Sequence, residues 1–125
     1  TASFLLSASV VCAQNNATFG SIKPTWRDRE LERAALREAN TRAATTRCQE
    51  YFVAAKIVSD DWEPLMGENG RVVGRTVHME LLAETRDGGC GVVHCVFRQR
   101  RQADDTWAPR LKLADMGEYY AQECE

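Results

Sequence analysis

The chain has 125 residues, room for one hydrophobic core and not for two. Apolar residues make up 44% and charged residues 27%, globular proportions that exclude a chain disordered throughout. A formal net charge of −2 supplies no chain-wide field for a polyanion, so no nucleic-acid partner is expected.

In chain order, Ala2 to Ala13 is uncharged and mostly apolar or small, and it closes with Val11-Cys12-Ala13 before the polar Gln14-Asn15-Asn16. That pattern is what a signal peptidase accepts. Residues 1–13 are read as a signal-peptide remnant, or as an apolar N-terminal arm. The run is too short to span a bilayer, so no membrane span is expected. Residues 14–24 form a polar leader containing the sequon Asn16-Ala17-Thr18, and 25–125 form a single domain. The expected location is exported: periplasm, organelle lumen or extracellular space.

Thr25 is a suitable helix cap with Asp28 three residues on, and Trp26 onward is rich in Ala, Leu, Glu and Arg, all but Trp good helix formers. Leu31, Ala34, Ala35 and Ala39 fall on one face. The spacing predicts a long helix over about 26–47 and leaves 48–58 open between helix and strand. Residues 59–70 carry Asp60, Asp61, Pro64, Gly67, Asn69 and Gly70, which is loop chemistry.

Val77, Met79, Leu81 and Ala83 alternate with His78, Glu80, Leu82 and Glu84, and Val93, Cys95 and Phe97 alternate likewise. Period 2 predicts an antiparallel hairpin of 72–85 with 90–101. A three-residue loop Asp87-Gly88-Gly89 would pair Arg86 with Cys90, Leu81 with Cys95 and Met79 with Phe97. Trp107 to Leu113 is a candidate third strand, placed at an edge by Pro109, and Asp115 to Glu125 an acidic tail. The expected fold is therefore α+β: one long N-terminal helix packed on an antiparallel sheet of three or more strands, stabilised by disulfides.

Of five cysteines, cleavage after Ala13 would leave Cys48, Cys90, Cys95 and Cys124. Four in an exported domain read as two disulfides with three possible pairings. The preferred one is Cys48–Cys95 with Cys90–Cys124. No standard zinc spacing is present, and neither a metal nor another cofactor is expected.

No catalytic constellation emerges. The expected register sets His78 against Arg98 and His94 against Leu82 on the outer face, too far apart to share a small ligand. Glu80 and Glu84 share that face without shielding from water. His94 and Cys95 point to opposite faces and cannot form a nucleophilic pair. Phosphate-loop, Gly-x-Ser-x-Gly and His-Glu-x-x-His motifs are absent. Arg29, Arg33 and Arg37 form a helix ridge. Trp26, Trp62 and Trp107 sit at element boundaries, where Trp serves as a core cap or as an interface anchor.

In its order of parts, one helix followed by an antiparallel sheet with cysteines toward the C-terminus, the chain resembles a cystatin. Arg71-Val72-Val73-Gly74 stands where that family has its first inhibitory loop, and Asp105-Thr106-Trp107 where it has its second. The family's Gln-x-Val-x-Gly lacks its Gln here, and its Pro-Trp pair is absent. The resemblance implies a protease inhibitor as the second reading. The leading reading is a non-catalytic protein-interaction domain, or an accessory subunit of a larger assembly, binding a protein partner through Trp62, Trp107, His78, Glu80, Arg98 and Arg100. A small enzyme using Glu80, Glu84 and His78 is the third.

Overall fold

The computed structural model describes residues 25–44, 50–85 and 88–123. Among them are one short helix, α1 (Arg29–Ala44), and five strands: β1 (Glu50–Ile57), β2 (Glu63–Met66), β3 (Val72–Thr85), β4 (Cys90–Arg100) and β5 (Lys112–Gln122). All pairings are antiparallel, in the order β1-β3-β4-β5 with β2 added on β3. The expected balance of a long helix on a disulfide-closed sheet is thus corrected: the molecule is mostly antiparallel sheet, and its helix has 16 residues.

The helix starts late because residues 25–26 are spent on the sheet. Thr25 N–H donates to Ile57 C=O at 2.9 Å, and Trp26 bridges Ile57. Asp28, not Thr25, is the cap: its carboxylate accepts Leu31 N–H at 3.1 Å, while Glu32 accepts Asp28 N–H at 3.1 Å. Two otherwise orphaned donors are satisfied reciprocally. Ala35 and Ala39, both fully buried, press the helix onto Phe52, Ile57, Val77, Met79, Leu81, Val93 and Phe97. Small residues on the helix let the larger sheet residues fill the core; each such side chain contributes about 1.5–3 kcal/mol by burial.

Two helix side chains pin the edges of the sheet. Asn40 donates to Phe52 C=O at 2.9 Å and accepts Phe52 N–H at 2.8 Å, next to a register shift in β1. Glu38, buried, accepts Leu113 N–H of β5 at 2.8 Å.

The stretch left open at 48–58 is strand from Glu50, and the expected loop 59–70 contains β2. The β3–β4 hairpin forms as expected, with its register moved by two residues. It closes between Thr85 and Gly89, whose backbones bond at 2.8 Å, and Thr85 Oγ1 also accepts Gly89 N–H. Gly88 takes φ 89°, a conformation that costs other residues more. Leu81 therefore meets Val93, and Met79 meets Cys95. Face parity survives because the shift is even. The expected third strand, Trp107–Leu113, is mainly connection; β5 begins at Lys112 and takes in most of the expected tail. Tyr119 of β5 lies over Gly91, where an added Cβ would come within 2.2 Å of the ring.

Cys95 is a fully buried thiol in no disulfide, near Val93 C=O, which overturns Cys48–Cys95 and the pairing of all four cysteines. Inward-facing Cys95 is packed as a small apolar residue. Cys90 is disulfide-bonded, but no bond joins two described cysteines. Cys48, Cys124, and the expected signal remnant and leader over 1–24 lie outside the described residues. No described helix is long and apolar enough to cross a membrane.

Candidate functional site

β1, β3, β4 and β5 direct the connections 58–71 and 101–111 to one end of the sheet. Trp26, Trp62 and Trp107 all collect there. Trp26 and Trp62 pack against the core, and Trp26 Nε1–H donates to Ser59 C=O at 2.9 Å.

At this end the inner face of the sheet changes character. Val77, Met79, Leu81 and Ala83 lie fully buried under the helix. The next inward residue of β3 toward the loops is Arg75, and its partner on β4 is Gln99. Arg75 carries its guanidinium between two indoles, 3.9 Å from the Trp62 ring centroid and 4.2 Å from that of Trp107. Arg101 caps the stack at 4.9 Å from Trp107. Arg75 Nε and Nη2 donate to Gln99 Oε1 at 2.9 and 2.7 Å, and Gln99 Nε2 donates to Ala108 C=O at 2.8 Å. The amide thus fixes the guanidinium and ties the β4–β5 connection to it. Burial, then repulsion from Arg101, lowers the pKa of Arg75 from its ordinary value, and Asp61 opposes both. Among the described residues no carboxylate lies within 4.0 Å of Arg75.

Trp62, Arg75 and Gln99 form one wall of a groove of about 520 Å³ under the first half of α1, with Leu31, Ala34, Arg33 and Arg37 opposite. The groove combines apolar surface with three arginines, and Asp28 and Glu30 at the helix start contribute acidity.

The six residues expected to bind a partner divide between two faces. Trp62 lines this inner groove, and Trp107 stands behind it, stacked on Arg75. His78, Glu80 and Arg98 lie on the outer face of the hairpin, and Arg100 follows at the end of β4. The register shift places His78 opposite Val96 and His94 opposite Glu80. The histidines, expected to be far apart, are therefore diagonal neighbours, with His78 Nδ1 and His94 Nε2 2.9 Å apart. One of the two nitrogens carries the shared hydrogen. His78 Nε2 lies 3.9 Å from Glu63, and Glu80 is paired to Lys56 at 3.0 Å. Glu84 is buried, so the expected exposed Glu80–Glu84 pair is not presented. No described group of three His, Cys, Asp or Glu side chains is placed to hold a metal ion.

The stretch matched to a cystatin's first inhibitory loop is not a loop: Val72–Gly74 lies in β3, paired with β2, and Gly74 also meets Arg100 of β4. Asp105-Thr106-Trp107 does lie in a connection, held by Asp105 at φ 65° and by a Gln102–Thr106 backbone bond. Asp104 accepts the Thr106 hydroxyl and N–H, and these bonds, the hydroxyl's first, lower its pKa.

Arg75 and Gln99 escaped the sequence reading. Their signal was present: each extends a strictly apolar inward series with a polar residue.

Compared with family models, with curated proteins and with solved structures, the chain matches none.

Proposed function

We propose that this domain is a non-catalytic protein-interaction module that grips an acidic segment of its partner in the groove lined by Trp62 and Arg75, with Trp107 backing the guanidinium. The observation that carries the reading is a guanidinium held by two indoles and an amide, with no carboxylate within 4.0 Å among the described residues. Desolvating a guanidinium is costly, and the indoles return about 0.5–2 kcal/mol each. A partner carboxylate would complete the arrangement through the fork geometry that arginine offers. Indole flanks suit the role, since Trp and Arg dominate the energetics of interfaces. Export belongs to the same proposal and rests on the apolar run Ala2–Ala13.

Selection of a displayed random dodecapeptide library on the folded protein tests this. Enrichment of Asp- or Glu-bearing peptides is expected. Trp62→Ala and Trp107→Ala, each shown folded by circular dichroism, should weaken the selected peptides more than Arg98→Ala does. Binders without acidic residues, or binders indifferent to both Trp changes, would reject the reading.

A further inference from the structure

The β4–β5 connection has a second feature, one that no tryptophan lines. It touches β4 where Ala108 N–H donates to Arg100 C=O at 2.8 Å, and again where Lys112 pairs with Arg98. Between these points the connection spends three residues, 109–111, against one of β4, so the two do not pair there. A pocket of about 410 Å³ opens beside them, and its lining is Arg42, Arg98, Arg100, Ala108, Arg110 and Lys112.

Every lining residue but one is cationic, in a chain whose net charge is −2. The rest of the molecule is therefore acidic in balance, and the gathering is local. Glu38 is the counter-charge on one side: its carboxylate lies 3.6 Å from Arg42 and 3.7 Å from Arg110, and it also accepts Leu113 N–H. Arg98, Arg100 and Lys112 have no carboxylate within 4.0 Å among the described residues. Arg98 and Lys112 are moreover direct partners across two strands, where like charges oppose pairing. The fold holds this repulsion in place, and an anion would relieve it.

We propose that this pocket binds a compact ligand bearing two or more phosphate or sulfate groups. Tetrahedral oxyanions offer several acceptor edges to guanidinium forks arriving from α1, β4 and the connection, whereas one carboxylate would occupy one fork. The volume suits a small molecule. The acidic remainder of the surface disfavours a long nucleic-acid strand. The site is separate from the tryptophan groove, and the proposal does not rest on the function proposed above.

The test is isothermal titration of the whole chain at low ionic strength, where screening is weak. The probes are sodium tripolyphosphate for the phosphate source and sucrose octasulfate for the sulfate source. Citrate and a twelve-residue oligothymidylate serve as comparators. One-to-one binding is expected for at least one of the first two, tighter than for either comparator, and the stronger probe names the source. The double variant Arg98→Gln/Arg100→Gln should lose roughly tenfold or more in affinity, as expected when charge-assisted bonds are removed. Arg29→Gln, an exposed helix residue that lines neither this pocket nor the groove, should change nothing. Lys112→Gln gives a second reading of the same pocket should the double variant fail to fold. Absence of binding by both probes overturns the proposal. So do equal affinity for citrate, tighter binding of the oligonucleotide, or indifference to the pocket substitutions.

Discussion

The inner faces of β3 and β4 run continuously from the hairpin to the loop end, yet the two ends are built on opposite principles. Toward the hairpin, Leu81, Met79, Val77, Val93 and Phe97 fill an apolar core under Ala35 and Ala39. Toward the loops, the same face carries Arg75, held between Trp62 and Trp107, and Gln99 bonded to it. The first arrangement is one that a sheet adopts for stability alone. The second places a charge where a methionine or leucine would pack, so its value lies elsewhere than in stability.

The largest expected effect falls on the apolar end. Phe97→Ala removes a fully buried ring and should cost about 3–5 kcal/mol, read as a lowered midpoint in urea denaturation. A loss below about 1 kcal/mol would mean that this end is loosely packed, and the contrast would fail.

Gly91→Ala comes next. Its Cβ would collide with the Tyr119 ring, and relief requires that ring to leave its place on β4. A loss of about 1–3 kcal/mol is expected. Gly91→Ala with Tyr119→Ala should lose less than the two single losses added together, because the clash is gone.

At the loop end the sign of the experiment changes. Arg75→Met keeps the unbranched apolar stem and discards the charge. Stability should stay within about 1 kcal/mol of the parent, or rise, while binding of an acidic peptide is lost. A fall as large as that for Phe97→Ala would make Arg75 a structural keystone and dissolve the comparison.

The smallest effect concerns the connection. Thr106 hydrogen bonds hold the Asp104 carboxyl below its ordinary pKa. A depressed carboxylate contributes stability above its unfolded pKa, and that contribution fades as pH falls through the folded value. Thr106→Val removes the hydroxyl bond and leaves the backbone one. The Asp104 titration, followed by carboxyl-carbon NMR, should move partway back toward the ordinary value. An unmoved titration would show that the hydroxyl does not hold the turn.

How much of this was legible depended on whether the information was local. Alternation in 72–85 and 90–101 gave both central strands and their inward faces, because period 2 survives any even register shift. It could not give the shift itself, which turned on Thr85 rather than Arg86 closing the hairpin. That single step brought His78 and His94 together. The helix was visible in its Ala stripe, but its start was hidden: residues 25–26 pair with Ile57, more than thirty positions away. The same non-locality misled the cysteine parity argument, since Cys95 belongs to the core series Val93-Cys95-Phe97. Of the site, the tryptophans were visible as boundary residues. The convergence of Trp62 and Trp107 on Arg75 needed the sheet order, although a charge at the end of an inward apolar series was a clue already in the sequence.

Asn40 has a consequence beyond fastening the helix. Its amide occupies both the N–H and the C=O of Phe52, and Thr25 takes Ile57 C=O. These are main-chain groups that a strand from another molecule would need in order to add itself beside β1. An extended edge with both ends of its ladder engaged is a poor template for such growth. One carboxamide on the helix therefore works as a stopper: it lets a small, strand-rich protein keep a long sheet without inviting its neighbours to lengthen it.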